Sequence, residues 1–203
     1  IQVEYEEIPG VFTPEEALRE GAPIVHELDL KGKPKKDNIV PVPWKFVTGD
    51  VEKAKQTSAH VVEDDYQTPL VSQVCMGTAG CIAEFDLQNN LIMQAKTQIP
   101  YLAQNDFNRA LEILGFKGKN TRVLVPYLGG GFGSGLDTHA YEYIAILLAW
   151  KTRKPVKVLL TREEEFLSLS PRQSSKMHIL QGCDKSGRLT FREGFVQSSN
   201  VVF

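Results

Sequence analysis

The pattern of apolar and polar residues divides most of the chain into strand-like and helix-like segments. Several short runs alternate in polarity or are continuously apolar, as is typical of β-strands: 60–68, 81–86, 91–97, 122–128, 156–160, 177–182 and 188–196. The segment 87–90 reads Leu-Gln-Asn-Asn and predicts a hairpin between the second and third runs. The segment 184–187 ends in glycine and predicts another hairpin between the last two runs.

Two longer segments have apolar residues at helical spacing. Pro100 begins the first, and Gly115 suits the position just after its end. Thr138 is the expected N-cap of the second helix, which covers 139–152 and ends before Pro155. The faces expected to enter the core comprise Ala103, Phe107, Ala110, Leu111 and Leu114 in the first helix, and Tyr141, Ile144, Ala145 and Leu148 in the second.

Capping sequences indicate short helices near both ends of the chain. Thr13 and Glu16 have the spacing of a capping box, and Thr161 and Glu164 repeat it. In such a pair each side chain bonds a backbone N–H that the helix leaves free, so each pair predicts the first turn of a helix. A further helical turn is expected at 50–56.

The central elements follow the order β-β-α-β-α-β. We therefore predict an α+β fold, a two-layer sandwich in which helices cover one face of a mixed sheet. Only one β–loop–α–β unit is clear, which is too little for a doubly wound parallel sheet. Residues 1–56 are predicted to form an N-terminal arm or connector, because 21–43 is rich in Gly, Pro, Lys and Asp, and residues 57–203 are predicted to form one domain.

Composition and charge narrow the range of functions. The chain has 203 residues, of which 42% are hydrophobic and 24% charged, as expected of a globular domain. A net charge of −2 does not favour nucleic acid as a partner, and the lysine-rich segment 31–36 is interpreted as a solvated loop. The longest apolar run, 143–150, is too short for a bilayer, and the first residues lack the pattern of a signal peptide.

The cysteines indicate free thiols. Cys75, Cys81 and Cys183 are odd in number and have no Cys-x-x-Cys spacing. This argues against a disulfide framework, a zinc site or iron–sulfur ligation within these residues. We interpret them as free thiols of a protein in a reducing cytoplasm.

The segment 129–135, Gly-Gly-Gly-Phe-Gly-Ser-Gly, is the strongest indication of a binding site. Glycine permits positive φ and lets a backbone approach another group without an intervening Cβ. A loop between a strand and a helix N-terminus offers free N–H groups and partial positive charge. The sequence therefore predicts an anion-binding loop in which Phe132 lies on a tight turn beside the bound group.

Two common phosphate-binding loops do not fit this segment. A Rossmann turn starting at Gly129 or Gly131 needs glycine where Ser134 or Leu136 stands, and no Gly-Lys-Ser/Thr follows for a Walker A loop. Two alternatives stay open at this point. One is a nucleotide-binding oxidoreductase domain with an atypical glycine loop; the other is a non-catalytic α+β domain in which the glycines only allow close packing.

The glycine loop resembles that of the molybdenum hydroxylases, the xanthine dehydrogenase and aldehyde oxidase family, in their large molybdopterin-binding subunit. Further segments are similar to the family and occur in its order: residues 3–9 with the helix that follows, Thr97-Gln98, and 154–157 followed by 161–164. The resemblance covers nearly the whole chain. It implies that 57–203 is a molybdenum cofactor-binding domain and that 1–56 leaves a preceding domain.

The resemblance also implies a cofactor and an activity. The cofactor is molybdopterin, alone or in its dinucleotide form, whose dithiolene holds the molybdenum, so no side chain need ligate the metal. The implied reaction hydroxylates an aldehyde or an N-heterocycle with oxygen from water. The electrons leave through 2Fe-2S clusters to FAD on other domains or subunits, so the implied partners are those subunits, the remainder of the large subunit and a small-molecule substrate.

The resemblance assigns roles to individual residues. Gln98 would donate an amide N–H to the apical oxo ligand of molybdenum. Gly131, Phe132 and Gly133 would offer backbone N–H groups to the pterin and the metal ligands, and Gly130 would allow close approach. Phe132 would also form a wall of the substrate pocket. Taken alone, Gln98 would be a strand-end amide that satisfies backbone groups, and Phe132 a core side chain.

The chain departs from the family pattern in two segments, 77–78 and 134–136, and in the second the family often has Gly-Lys where Ser134 and Gly135 stand. Gly77 and Thr78 stand where the family often has Glu-Pro, so the local support of the pocket is expected to differ. Leu136 stands where purine hydroxylases have a glutamate that binds the substrate. Because leucine cannot hydrogen-bond a purine, the pocket is expected to take an aldehyde or a heterocycle other than xanthine.

No catalytic residue is expected within the chain. The family's catalytic glutamate lies near the C-terminus of the full subunit, so the chain is expected to be an excised piece that is inactive alone. Glu163, Glu164 and Glu165 are attributed to a capped helical turn rather than to catalysis. Asp137 is expected to cap a helix, and His139 to lie on the surface.

Overall fold

The computed structural model describes residues 2–29, 32–39, 45–118 and 120–198. The chain forms two compact units, which are considered separately. The central unit is Val71–Arg172, and the flanking unit comprises the residues up to Leu70 and those from Gln173 onward. The predicted domain boundary between residues 56 and 57 stays a prediction, and the predicted connector at 21–43, with its lysine-rich part at 31–36, lies partly outside the described residues.

The helices and strands occur in nearly the predicted order. In chain order they are α1 (Pro14–Ala17), α2 (Val51–Thr57), β1 (His60–Thr68), β2 (Gly80–Phe85), β3 (Leu91–Ala95), α3 (Pro100–Ile113), β4 (Thr121–Leu124), α4 (Ala140–Thr152), β5 (Val156–Leu159), α5 (Arg162–Ser168), β6 (Ser175–Cys183) and β7 (Leu189–Ser198). The largest difference is at β4, which ends before the predicted residue 128 because the chain turns toward the glycine loop. None of the helices among the described residues has the length and hydropathy that a bilayer span requires.

The flanking unit contains a three-stranded antiparallel sheet in the order β1-β6-β7. β6 and β7 form the hairpin that the segment 184–187 predicted, and Gly187 has the positive φ of 85° that its turn needs. The long strand β1 pairs with β6 along its whole length, from His60 opposite Cys183 to Thr68 opposite Ser175. The helices α1 and α2 belong to this unit.

The central unit contains a four-stranded mixed sheet in the order β4-β3-β2-β5. β3 and β4 are parallel, whereas β2 is antiparallel to both β3 and β5. This confirms the predicted β-β-α-β-α-β order and the mixed sheet. In the sequence, the strands β4 and β5 are separated by the glycine loop and α4. They lie at opposite edges of the sheet. They are therefore not neighbours, as they would be in a βαβ unit of adjacent parallel strands.

The core of the central unit lies between this sheet and the helices α3 and α4. Alternate residues of β2 and β3 face the helices, and Cys81 pairs with Ala95 and Ala83 with Met93 on that face. Burial of each large apolar side chain in this core stabilises the fold by roughly 1.5–3 kcal/mol. The core comprises Ala79, Cys81, Ala83, Leu91, Met93 and Ala95 from the sheet side, and Ala103, Phe107, Leu111, Tyr141, Ala145, Ile146 and Ala149 from the helices. The prediction that helices cover one face is confirmed.

Helix α3 follows the predicted spacing with one exception. Ala103, Phe107 and Leu111 are buried, and Gly115 has a φ of 87° at the helix end. Ala110 is only partly buried and lies outside the core cluster, so the prediction that it enters the core was wrong. The buried stripe repeats every four residues and is too narrow to include it.

Helix α4 differs from the prediction at its start and on its buried face. Its N-cap is His139 rather than Thr138, whose hydroxyl instead lies 2.7 Å from the hydroxyl of Tyr143. Ile144 and Leu148 are about half exposed, although they were predicted to enter the core. Because α4 is apolar on nearly all sides, its periodicity could not select the face that the sheet covers. The buried residues are Tyr141, Glu142, Ala145, Ile146 and Ala149.

Candidate functional site

The glycine loop joins β4 to α4 in the central unit and has an unusual backbone. Gly129, Gly130 and Gly133 have positive φ values of 69°, 100° and 99°. Only glycine adopts such values without strain. Phe132, between them, has a φ of 51°, which costs a non-glycine residue on the order of 1 kcal/mol. Strained backbone of this kind concentrates at functional sites.

Gly131 is required for a different reason, which is space. A Cβ at this position would lie 2.4 Å from Cδ of Gln98, well inside van der Waals contact. A Cβ at Gly135 would lie 3.1 Å from the carbonyl oxygen of Lys96. The chain just after β3 therefore packs directly against the loop, and the two segments fit only because the loop has no side chains there.

Gln98 is bound to the glycine loop by its side chain and its backbone. Its Oε1 accepts hydrogen bonds from the N–H groups of Gly133, at 2.9 Å, and Gly135, at 3.3 Å. Its own N–H donates to the carbonyl of Gly135 at 2.8 Å. Because backbone N–H groups can only donate, the carboxamide must turn its oxygen toward the loop and its NH₂ away from it. Within the described part of the chain, this NH₂ has no hydrogen-bond acceptor.

Three consecutive N–H groups of the loop are also free. Among the residues that the structure describes, none accepts a hydrogen bond from the N–H of Gly130, Gly131 or Phe132. Free backbone donors at a loop before a helix suit an anionic or carbonyl group of a ligand. The N–H of Gly133 donates to Gln98, so its predicted part in cofactor binding stays a prediction.

Phe132 and Leu136 present apolar side chains to solvent beside this loop. Phe132 is 78% exposed, which excludes the alternative that it is a core residue, and Leu136 is 47% exposed. Exposed aromatic and aliphatic side chains next to free polar donors are typical of the wall of a ligand site. Their predicted role in a substrate pocket stays a prediction.

A second segment, 73–79, packs against the glycine loop and supports it. The thiol of Cys75 lies 3.4 Å from the carbonyl of Gly131, and the N–H of Gly77 donates to the carbonyl of Gly129 at 3.3 Å. A Cβ on Gly129 would lie only 3.3 Å from Cα of Gly77, so the two backbones touch. Gly77 stands where the family often has glutamate, and its lack of a side chain permits this close approach.

Glu165 is not explained by the capped turn to which it was attributed. In α5 the capping residue is Glu164, whose Oε2 accepts from the N–H of Thr161 at 2.7 Å. Glu165 is buried instead, and its carboxylate pairs with Lys96, at 3.4 Å, and with Arg162. The spacing of Arg162 and Glu165, three positions apart on one helix, was the available signal.

The predictions for Asp137 and His139, at the N-terminus of α4, need correction. Asp137 is exposed, and it does not cap the helix. His139 is the N-cap and is only partly exposed. Burial lowers its pKa, and its Nε2 is buried without a partner among the described residues.

Glu142 is buried as well and accepts from the N–H of His139 at 2.7 Å. Burial raises the pKa of Glu142 to about 7. Its capping-box spacing from His139 was a signal that the sequence analysis missed.

All three cysteines are free thiols, as predicted. Cys75 and Cys81 are buried, and burial raises the pKa of Cys81 to about 12, so it is not a reactive thiol. Across the described residues, no group of three or more His, Cys, Asp or Glu side chains is arranged to hold a metal ion.

Comparison with known proteins gives a consistent result. The family model described as "Molybdopterin cofactor-binding domain" matches residues 32–198. The nicotinate dehydrogenase large molybdopterin subunit of Eubacterium barkeri is 32% identical over 189 residues, which cover 93% of this chain and 41% of that protein. The xanthine dehydrogenase molybdenum-binding subunit of Escherichia coli O157:H7 is 29% identical over 189 residues, which cover 93% of this chain and 24% of that protein. The chain thus spans less than half the length of these relatives.

A solved structure agrees with the fold. The reconstituted CO dehydrogenase from Oligotropha carboxidovorans aligns with 96% of this chain and 25% of its own, at a TM-score of 0.75 and 22% identity. At this identity the likeness supports the fold alone. The family match covers most of the chain and includes the glycine loop with its free donors and Gln98. This chain belongs to the molybdopterin cofactor-binding domain family.

Proposed function

We propose that the chain is the molybdopterin-binding part of an oxidoreductase similar to xanthine dehydrogenases and aldehyde oxidases. The enzyme hydroxylates an aldehyde or an N-heterocycle with oxygen from water. The observation that carries the proposal is the glycine loop fixed on Gln98, with its own N–H groups and the Gln98 NH₂ left free, in a domain of this family.

The residues present fit such a cofactor. The position that a Cβ of Gly131 would fill is closed by Gln98, so the loop can only present bare backbone. The free N–H groups of Gly130, Gly131 and Phe132 suit the carbonyl, ring-nitrogen and phosphate acceptors of a pterin. The pterin carries its own metal-binding sulfurs, and a set of protein ligands is not needed.

Bound molybdopterin supplies a molybdenum centre that exchanges two electrons with the substrate. Around it, the chain binds and orients. Gln98 would donate a hydrogen bond from its NH₂ to an acceptor oxygen of the bound cofactor, which the family resemblance identifies as an oxo ligand of the metal. An amide is neutral, so it can hold such an oxygen without adding charge to a redox centre. Gly133 holds the carboxamide in the orientation that this donation needs.

Phe132 and Leu136 define the substrate side of the proposed site. Both are apolar and exposed, and neither can bind a purine by a charged hydrogen bond. We therefore favour an aldehyde, or an N-heterocycle other than xanthine, as the substrate. The relative named nicotinate dehydrogenase supports the choice of an N-heterocycle. We assign the general base to the remainder of the large subunit, and the 2Fe-2S clusters and FAD to other domains or subunits. The free cysteines support the predicted cytoplasmic location.

The test is cofactor analysis of the full-length enzyme. The purified protein is expected to contain molybdenum and to release a fluorescent oxidised pterin. Gln98→Ala and Gly131→Ala are expected to lower both contents. Gln88→Ala, in an exposed turn, and Gly194→Ala, where a Cβ would meet nothing closer than 3.8 Å, are the matched controls. A full-length enzyme without pterin would contradict the proposal, and tight binding of NAD or FAD by this domain would favour the nucleotide-binding alternative.

A further inference from the structure

We propose that the buried Lys96 and Glu165, together with the partly exposed Arg162, form an ionic cluster that positions the glycine loop for cofactor binding. All of these residues belong to the central unit. None of them is a candidate to touch the cofactor or the substrate, so their role is to position other groups. The inference rests on the proposed function, because it assigns these residues to the support of the cofactor site.

The two cations of this cluster bind three consecutive carbonyl groups. Nη2 of Arg162 donates to the carbonyls of Cys75, at 2.5 Å, and Met76, at 3.1 Å. Nζ of Lys96 donates to the carbonyl of Gly77 at 2.8 Å. Charge-assisted hydrogen bonds of this kind are shorter and stronger than neutral ones. The backbone of 75–77 is therefore fixed at three points in a row.

Glu165 joins the cations and extends the same support. Its carboxylate pairs with Lys96 through Oε1, at 3.4 Å, and with Arg162 through Oε2. Oε1 also accepts from the N–H of Ala79, at 3.1 Å. One carboxylate thus orients both cations and binds the backbone just before β2. Because Lys96 follows β3 and Glu165 lies in α5, the cluster joins distant parts of the sequence at this segment.

The fixed segment is the one on which the glycine loop rests. The N–H of Gly77 donates to the carbonyl of Gly129, and the Cys75 thiol lies 3.4 Å from the carbonyl of Gly131 and 3.5 Å from the hydroxyl of Ser134. Through these contacts, a shift of 75–77 would move the loop that carries the free N–H groups. The cluster and the loop are therefore separated by a single layer of backbone.

Backbone strain is present both next to the segment 75–77 and in the glycine loop. It indicates that surrounding contacts hold each of them in a conformation that its own residues disfavour. Val74, directly before the fixed carbonyls, has a φ of 43°, and Phe132 in the loop has a φ of 51°. A β-branched residue at positive φ is a marked outlier, and such conformations persist only where surrounding contacts impose them. The hydrogen bonds from Arg162 to the next two carbonyls are the contacts that can impose the conformation of Val74.

Fold stability alone does not explain three charged groups at this place. Burying charges carries a large desolvation cost, and well-packed apolar residues often replace a buried ion pair at no loss of stability. Lys96 and Glu165 are both more than nine-tenths buried. What apolar side chains cannot supply is the set of directed hydrogen bonds to the carbonyls of 75–77.

The experiment compares charge-neutralising variants of the full-length enzyme. Glu165→Gln and Lys96→Met remove single members of the cluster, and the double variant removes both buried charges together. Glu163→Gln is the matched control, because it makes the same change on the same helix at an exposed position. Glu164→Ala is the stability control, because it removes the carboxylate that accepts from the N–H of Thr161 without touching the cluster.

Two measurements separate positioning from stability. One is the rate of pterin release from the loaded enzyme, which is expected to rise about 10- to 100-fold in Glu165→Gln and Lys96→Met, as for other residues that orient a cofactor's direct contacts. The other is hydrogen–deuterium exchange of amides 129–136 in cofactor-free enzyme, which is expected to become faster in the same variants. The double variant is expected to recover much of the Tm lost by the single variants, but neither pterin retention nor loop protection.

Defined outcomes would overturn the inference. It fails if Glu165→Gln and Glu164→Ala show equal loop exchange and equal pterin release at matched Tm, or if the double variant recovers loop protection together with Tm. An enzyme that contains no pterin would instead contradict the proposed function. In that case the exchange of the cofactor-free protein still decides whether the cluster positions the loop.

Discussion

The side-chain oxygen of Gln98 lies 2.9 Å from the backbone nitrogen of Gly133, and this hydrogen bond sets the orientation of the whole carboxamide. The oxygen is occupied by the loop, and the NH₂ is directed away from it. One residue thus both holds the glycine loop and offers a donor beside it. These two roles can be separated by substitution.

We expect Gln98→Glu to separate them. A carboxylate still accepts from the N–H groups of Gly133 and Gly135, so the loop stays in place. The outward donor is replaced by a charged oxygen, which repels an acceptor of the cofactor. Pterin affinity is expected to fall about 10- to 100-fold, while hydrogen–deuterium exchange of 129–136 stays as in the wild type. Gln98→Ala should lose both, and equal loop exchange in the two variants would contradict the assignment.

Gly131→Ala is expected to act through Gln98. The new Cβ would lie 2.4 Å from Cδ of Gln98, and the flexible end of that side chain is the part that can move. Its displacement breaks the hydrogen bonds to Gly133 and Gly135, which costs about 1–3 kcal/mol in the free energy of unfolding. In a Gln98→Ala background the same substitution should cost little, because the obstructing atoms are gone. Denaturant unfolding of the four proteins in this cycle measures the coupling, and additive effects would show that the clash lies elsewhere.

The sequence predicted the elements whose pattern is local. The strand β1 and the hairpins follow from alternation and turn residues. The positive φ values of Gly129, Gly130 and Gly133 agree with the expectation that glycine gives the loop this freedom. The contact of Lys96 with Glu165 was not predictable, because it joins residues far apart in the sequence and neither has a distinctive neighbourhood. The buried face of α4 was not predictable either, because apolar residues surround that helix and only the sheet decides between its faces.

His178 provides a test of electrostatics in the flanking unit. Its Nδ1 lies 2.8 Å from Asp65 and its Nε2 lies 3.0 Å from Glu63, both on the neighbouring strand β1. The hydrogen bond with Asp65 is the main cause that raises the pKa of this histidine above its usual value. The charged form therefore stabilises the fold at low pH, and this contribution is lost as the pH rises through the raised pKa.

NMR titration of the imidazole checks this expectation. The pKa of His178 is expected to fall in Asp65→Asn, and to fall less in Glu63→Gln, because the Asp65 contact is the stronger one. All three side chains are exposed, so added salt should reduce the difference between wild type and variants. Asp64→Asn, between the two acidic residues on β1, is the control. A larger effect from Glu63→Gln than from Asp65→Asn would contradict the assigned geometry.

Glu142, at the start of α4, is expected to make the protein less stable as the pH rises. An acidic residue in an ordinary ion pair has the opposite effect, because its pKa is lowered rather than raised. Burial raises the pKa of Glu142 from 4.5 to about 7, so the folded state binds a proton that the unfolded state has already released between these values. The free energy of unfolding therefore falls as the pH rises from about 4.5 to about 7, by up to roughly 3 kcal/mol from this group. Above that pH the cost stays constant.

Glu142→Gln is expected to remove this dependence. Glutamine stays neutral, and its Oε1 can still accept from the N–H of His139, so the start of α4 keeps its cap. At pH 8 the variant should be more stable than the wild type, whereas near pH 4.5 the two should be alike, because the wild-type carboxyl is then protonated. Urea unfolding across this range measures the difference, with Glu84→Gln, at an exposed position, as the control. If the variant is the less stable protein at pH 8, the ionised carboxylate must have a compensating partner, and the burial of Glu142 does not oppose its charge.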